Sequence, residues 1–364
     1  VIQWRNREHH FGMLESRRGF WPIFLLILVA SLYIRSNQLD MPPVDFPADR
    51  QRSSHVFTER IMDGSGSIHV GRSWLELQIL PWISGKTAGL CRLFNCEIWT
   101  LARTYNVIFS MLTILLAALA VFMATSHPAT TTASRGRVTL FFTAAIGLNP
   151  FHANISRLIL AEPLALLFQA GALVFFFKLH QQNRYTYGPL LCMILLLMFA
   201  ALAKLTSLVW LPSVLLALLC GRRLPRSTRI VALILIIAAT AFVLAMININ
   251  PVQIALSFKD QFRVTYIDFA SWFGTTLWDK VYLSRIVLVF TMPGIFFALI
   301  GLFRTPWIFQ VTAITALVCF YLLVNINVYN FCHLLIPGMA LAAWGMDQMF
   351  LLAAIAWNNF TAQE

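Results

Sequence analysis

The stretch of the chain richest in reactive groups is Pro42-Pro43-Val44-Asp45-Phe46-Pro47-Ala48-Asp49-Arg50-Gln51. Prolines fix φ and restrict the residue before them, so Asp45 sits on an extended backbone instead of a floppy tether. A carboxylate held in that way can take the proton of an attacking hydroxyl as general base. Arg50 and Arg52 beside it favour its ionised form and suit phosphate oxygens. Asp49, adjacent to Arg50, is a second carboxylate placed for the same work. The same residues also fit a solvated loop whose acid caps a helix expected from residue 53. Glu76 stands between Trp74 and Trp82 in an apolar stretch. A lone carboxylate there is costly unless it meets a cation, a metal or a substrate hydroxyl, and Arg72 or Lys86 would also satisfy it.

Further along, Arg157 and Glu162 occur in Asn154-Ile155-Ser156-Arg157-Leu158-Ile159-Leu160-Ala161-Glu162-Pro163, a spacing that does not put them on one ideal helical face. Lys204 stands alone between apolar runs, and His333 follows Asn325, Asn327 and Asn330 at the start of the last one. The lysine also fits a snorkelling side chain, and the histidine a ring satisfied by a neighbouring carbonyl. If Arg50, Arg157, Lys204 and His333 share one side of a membrane, they can neutralise a single phosphate, which makes a lipid phosphate a good leaving group.

The elements that must position these groups are membrane spans. Of 364 residues, 59% are hydrophobic and only 12% charged, with a net charge of +12. Soluble domains carry about a quarter charged residues, so a soluble enzyme, a disordered chain and a secreted disulfide scaffold are all excluded. The basic residues lie between apolar runs instead of forming one face, which argues against nucleic acid and for topology and anionic lipid headgroups. The six cysteines show no C-x-x-C spacing, which disfavours a structural metal site.

Apolar runs near 20–35, 101–125, 137–153, 158–179, 187–203, 205–220, 229–248, 286–303, 307–325 and 332–356 predict about ten spans. With residues 1–19 placed in the cytoplasm, Arg135, Arg137, Lys178, Arg184, Arg222, Arg223, Arg226, Arg229 and Arg304 also fall on that side. The acids Asp40, Asp45, Asp49, Glu59, Asp63, Glu76, Glu97, Asp260, Asp268 and Asp279 fall on the other. The expected architecture is therefore all-α: a single membrane domain over 1–364, a polytopic helical bundle with both termini in the cytoplasm. Two outer segments, 36–100 and 249–285, are too long to be turns. The first is expected to hold interfacial helices near 53–63 and 73–90, and the aromatic stretch 262–282 is expected to roof the outer mouth.

The order and sidedness of Asp45-Phe46, Arg50-Gln51, Trp74-Leu75-Glu76-Leu77, Ser156-Arg157, Glu162-Pro163, Ala203-Lys204-Leu205-Thr206 and His333-Leu334-Leu335-Ile336-Pro337 resemble the GT-C class of membrane glycosyltransferases. Within that class, the likeness is to the protein O-mannosyltransferase and aminoarabinose-transferase-like superfamily. It covers about 20–345. The resemblance implies transfer of a sugar from a polyprenyl-phosphate donor to a lipid, glycan or protein acceptor on the non-cytoplasmic face of a bacterial inner membrane. It implies Asp45 as the catalytic aspartate and Glu76 as the acid on the second interfacial helix. It also implies Arg50, Arg157 and Lys204 as donor-phosphate contacts, with Asp49, Gln51, Glu162 and His333 further substrate-binding candidates. The chain departs from the pattern in having Glu at 162 where Asp is commoner, in lacking an Asp-Glu pair at 45–46, and in lacking a soluble domain after the last span. No organic cofactor is expected, and a divalent metal stays open. A lipid-linked-sugar flippase and a catalytically silent scaffold are the rival readings; a flippase would need a polar path at mid-span, where the sequence offers few charges.

Overall fold

The computed structural model describes residues 17–37, 87, 89–90, 93, 98–125, 132–158, 162–181, 187–220, 225–246, 286–287, 289–322 and 328–361. The expected helix 53–63, residues 73–86 of its companion and the aromatic stretch 262–282 lie outside the described residues. Regular structure among the described residues is helical throughout. The helices are α1 (Arg17–Ser36), α2 (Ile98–Ala124), α3 (Thr132–Gly147), α4 (Pro150–Ser156), α5 (Glu162–Gln181), α6 (Tyr187–Ala203), α7 (Leu211–Cys220), α8 (Arg226–Met246), α9 (Met292–Gly301), α10 (Trp307–Leu322) and α11 (Leu335–Thr361). Two 3-10 helices, Leu205–Trp210 and Val328–Leu334, lead into α7 and α11.

A helix overlaps each of the ten apolar ranges read from the sequence. By length and hydropathy, however, five stretches among the described residues are able to cross a bilayer: Gly19–Ser36, Thr100–Ala124, Glu162–Leu179, Arg226–Val243 and Phe331–Thr361. Tyr187–Ala203, Thr206–Leu216, Met292–Gly301 and Trp307–Val318 are apolar but shorter. What holds at this level is an all-α chain with several long apolar helices, consistent with a polytopic bundle. The lipid-like surface agrees: Leu25, Leu26 and Val29 of α1 and Ile230, Ile234, Ile237 and Phe242 of α8 are exposed. Such patches are untenable in water and ordinary in hydrocarbon, where a helix satisfies its own backbone.

Two expected spans are interrupted, and proline explains both. The range 137–153 stops at Gly147 because Asn149 and Pro150 start a new helix: the Asn149 side chain accepts from the His152 N–H at 2.8 Å, and Pro150 occupies the first turn. The range 286–303 breaks at Thr291, a β-branched residue at φ 62. Two residues on, Pro293 has no N–H to give the Val289 carbonyl. The Asn149 side-chain amide donates to that carbonyl instead, at 2.8 Å, so one asparagine repairs both breaks.

Inside, Phe177, Phe309 and Trp344 form a column, with ring centroids 5.6 Å and 6.0 Å apart, that ties α5, α10 and α11. Helices α9 and α11 approach more closely than any side chain permits: a Cβ on Gly301 would lie 1.9 Å from the Leu341 carbonyl oxygen, and one on Gly345 1.9 Å from that of Phe297. Small residues at a crossing let backbones meet, the usual way apolar helices gain packing without a hydrophobic drive.

Cross-helix bonds sort the helix ends into two sets. At one end, Arg135 Nε donates to the Phe122 carbonyl and Gln181 Nε2 to that of Met123, which gathers the end of α2, the start of α3 and the end of α5. The buried pair Arg137 Nε to Asp347 Oδ1, 2.8 Å, adds α11, and Ser134 Oγ donates to Asp347 Oδ2 at 2.9 Å. At the opposite end lie the close of α1, α3 and α6 and the start of α5 and α11.

Candidate functional site

The opposite end holds the described members of the expected site. Arg157 closes the short helix α4, its N–H bonded to the Asn154 carbonyl, and is half-buried. Glu162 opens α5, where a negative charge in the first turn is favoured by the helix dipole and Pro163 costs no hydrogen bond. Lys204 is the extended residue between α6 and the first 3-10 helix. His333 sits in the second 3-10 helix, fully buried. Asp45, Glu76, Asp49, Arg50 and Gln51 lie outside the described residues.

Two cross-links join these elements. In the first, Lys204 Nζ pairs with Glu162 Oε1 at 3.1 Å; the carboxylate side chain is 1% exposed and the lysine 19%. In the second, His333 Nδ1 lies 3.1 Å from Gln169 Oε1, and Nε2 lies 2.9 Å from Thr206 Oγ1. The amide oxygen only accepts, so Nδ1 carries the proton, Nε2 accepts from the Thr206 hydroxyl, and the ring is neutral. Trp210 Nε1 donates to the His333 carbonyl at 2.9 Å, so both ring and backbone of this residue are engaged. Glu162 and Gln169 stand two turns apart on one face of α5, separated by about 10 Å along its axis. Thus α5, the 3-10 segment after α6 and the start of α11 are pinned together by one ionic and one neutral link.

The sequence reading brought Glu162, Lys204 and His333 to one place, and the structure joins the first two directly. The third touches neither by hydrogen bond; its ring is turned to Gln169 and Thr206, residues that sequence reasoning did not single out. Gln169 had a legible signal, as the one polar side chain in Leu166-Leu167-Phe168-Gln169-Ala170. Glu162 Oε2 is buried with no hydrogen-bond partner among the described residues, as is Gln169 Nε2. The open acceptor lies beside the ion pair, and the open donor two turns away beside His333; each is able to meet a hydroxyl group.

A second polar cluster, absent from the sequence reading, occupies the same end. Arg35, fully buried near the close of α1, donates from Nη1 to the carbonyls of Ser31 (3.0 Å) and Gly147 (2.6 Å). Its Nη2 donates to the Ile146 carbonyl (3.4 Å) and His152 Nδ1 (2.9 Å), and its Nε to Ser110 Oγ (3.0 Å). The guanidinium thus caps the C-terminal carbonyls of α3, where the helix dipole is negative, and none of these bonds is to a carboxylate. His152 Nε2 lies 3.1 Å from Ser110 Oγ, the spacing of a nucleophilic pair. It cannot act as one: Arg35 donates to Nδ1, so Nε2 keeps its proton and has no lone pair for the serine. Arg103, buried in α2, adds another cation at this end, and the Asn106 amide ties α2 to the Leu158 carbonyl.

Glu162 and Asp347 are the only acids among the described residues. Asp347, which the sequence reading did not mark, answers Arg137 at one end; Glu162 faces Lys204 at the other, the end that also holds Arg35, Arg103 and Arg157. Among the described residues no group of three or more His, Cys, Asp or Glu side chains could hold a metal ion. In comparisons with protein-family models, with curated proteins and with solved structures, nothing matches the chain.

Proposed function

We propose that this chain is a polytopic membrane glycosyltransferase of about ten spans, both termini cytoplasmic. On this reading it transfers a sugar from a polyprenyl-phosphate carrier to a lipid, glycan or protein acceptor on the non-cytoplasmic face of a bacterial inner membrane. The observation that carries the reading is the buried Glu162–Lys204 pair at one end of the bundle, in which one carboxylate oxygen of Glu162 has no hydrogen-bond partner among the described residues. Arg103 and Arg157 lie at the same end. Such an end suits a ligand with a phosphate and hydroxyls at the membrane boundary.

In this mechanism the acceptor hydroxyl attacks the anomeric carbon as Asp45 takes its proton. The bond from that carbon to the phosphate oxygen breaks, and the electron pair leaves on the phosphate, inverting the configuration. Arg50, Arg157 and Lys204 receive the growing negative charge on the departing phosphate. Asp49 and Gln51 orient the donor from the same segment, Glu76 orients the acceptor, and Glu162 takes a sugar hydroxyl on its open oxygen. His333 holds the lysine segment in place through Thr206. The test is mass spectrometry of the cell envelope with the gene deleted and then restored, either intact or as Asp45→Asn. A glycan lost on deletion, regained with the intact gene and absent with the variant at equal expression supports the reading. An unchanged envelope, or full restoration by Asp45→Asn, refutes it.

A further inference from the structure

At the end of the bundle that holds the Arg137–Asp347 pair, Arg135 is pinned in an exposed position. Its Nε donates to the Phe122 carbonyl at 2.9 Å, and its guanidinium carbon lies 3.5 Å from the centroid of the Phe122 ring. One contact fixes the root of the fork and the other its plane, so the guanidinium is set before any ligand arrives. Both contacts leave Nη1 and Nη2 unused, and among the described residues neither atom has a hydrogen-bond or ion-pair partner. Beside it, Gln181 Nε2 donates to the Met123 carbonyl at 2.6 Å, and Lys178, one turn earlier on the same side of α5, is exposed. Two cations thus stand about the last turns of α2, and the adjoining connections 126–131 and 182–186 contain no acid to answer them.

Helix α2 also supplies an apolar track to this place. Its exposed large side chains are Ile108, Leu112, Leu115, Leu119 and Phe122, which recur every three or four residues and so form one stripe. The stripe is about 21 Å long, more than the half of a hydrocarbon core of about 30 Å that a single leaflet provides. It has borders. On one side Phe109 packs on Leu164 and Ala165 of α5, and Leu116 lies beside Gly171. On the other, α3 brings Arg135 over Phe122, the last member of the stripe.

We infer that the exposed side of α2 binds an anionic glycerophospholipid, with one acyl chain along the stripe and the phosphodiester bonded to Nη1 and Nη2 of Arg135. The fork of a guanidinium matches two phosphate oxygens with two parallel N–H bonds, and Lys178 adds a second charge. Two cations against one phosphate select a lipid of net negative charge over a zwitterionic one, whose ammonium group they repel. The stripe is what commits the site to a lipid instead of a free phosphate. It ends on the opposite side of the bundle from Glu162 and Lys204, and the inference does not require that the chain transfer sugars.

The experiment uses the full chain in nanodiscs doped with phosphatidylglycerol or phosphatidylcholine, each carrying the same photoreactive diazirine on one acyl chain. Phosphatidylglycerol should label Leu112, Leu115 and Leu119 about tenfold above phosphatidylcholine, the worth of one charge-assisted hydrogen bond. Both lipids should label Ile234 and Ile237 of α8 alike. Arg135→Lys keeps the charge but loses the fork and the stacking, and should lower the phosphatidylglycerol yield on α2 about fivefold with α8 unchanged. The wild-type ratio on α2 against that on α8 needs no variant and decides alone if the variant fails to fold. Equal labelling of α2 by the two lipids, the same excess on α8, full labelling retained by Arg135→Lys, or an excess erased by inorganic phosphate at constant ionic strength would each overturn the inference.

Discussion

Truncating the two partners of the Glu162–Lys204 pair should not cost the same, and the difference follows from their burial. Lys204→Ala leaves a carboxylate 1% exposed with no counterion, whereas Glu162→Ala leaves an ammonium 19% exposed that can bend its stem toward water. Breaking a buried pair on one side costs roughly 3–5 kcal/mol, and the lysine variant should fall in that range. The glutamate variant should lose about half as much, because the lysine side chain is partly solvated already. Replacing both by leucine removes the charges together and should come within about 1 kcal/mol of the parent. The assay is a double-mutant cycle in detergent micelles, with unfolding followed by tryptophan fluorescence and the coupling read as the deviation from additivity. A coupling below about 0.5 kcal/mol, or a glutamate variant less stable than the lysine variant, would refute the burial argument.

Three further outcomes follow from the packing. Asn149→Ala frees the Val289 carbonyl that Pro293 cannot serve and uncaps α4; it should cost about 2–3 kcal/mol, with faster amide exchange over 286–295. Thr291→Gly relieves a β-branched residue at φ 62, a gain of about 1–2 kcal/mol set against glycine's entropy cost of under about 1 kcal/mol and the few tenths lost with the long 3.4 Å cap from the Gly294 N–H to the Thr291 hydroxyl, so the melting temperature should rise slightly. Gly301→Ala drives a methyl group against the Leu341 backbone oxygen, which cannot yield as a side chain would; a loss of about 2–3 kcal/mol or failure to assemble is expected, read as the monodisperse fraction in size-exclusion chromatography.

The helices were legible because their signal is strong and local: runs such as Leu112 to Phe122 admit little besides a helix in or near hydrocarbon. Breaks within those runs were harder to see. Asn149-Pro150 and Pro293 are visible in the sequence, yet whether a proline kinks a span or ends it depends on who accepts and donates at the gap. Here the donor is Asn149, far away along the chain. Lys204 and Glu162 could be marked as rare charges at the same end, but their pairing is a property of how α5 and α6 meet. Arg35 was hidden for the opposite reason. At the close of an apolar run it looked like a boundary residue, while its partners, the α3 carbonyls and His152, carry no charge to advertise them. Asp347, inside the last apolar run, was passed over as well, and only its packing against Arg137 gives it a place.

The reading as a transferase is tested most directly by following the donor itself. The purified chain in liposomes is given a panel of radiolabelled decaprenyl-phosphate-linked hexoses and pentoses together with an extract of envelope acceptors. The account predicts that one labelled sugar moves to an acceptor and decaprenyl phosphate is released. Asp45→Asn should abolish that release, and Arg157→Ala should reduce it. Movement of an intact labelled lipid from one leaflet to the other, without cleavage and regardless of acceptor, would contradict the account and make the chain a transporter.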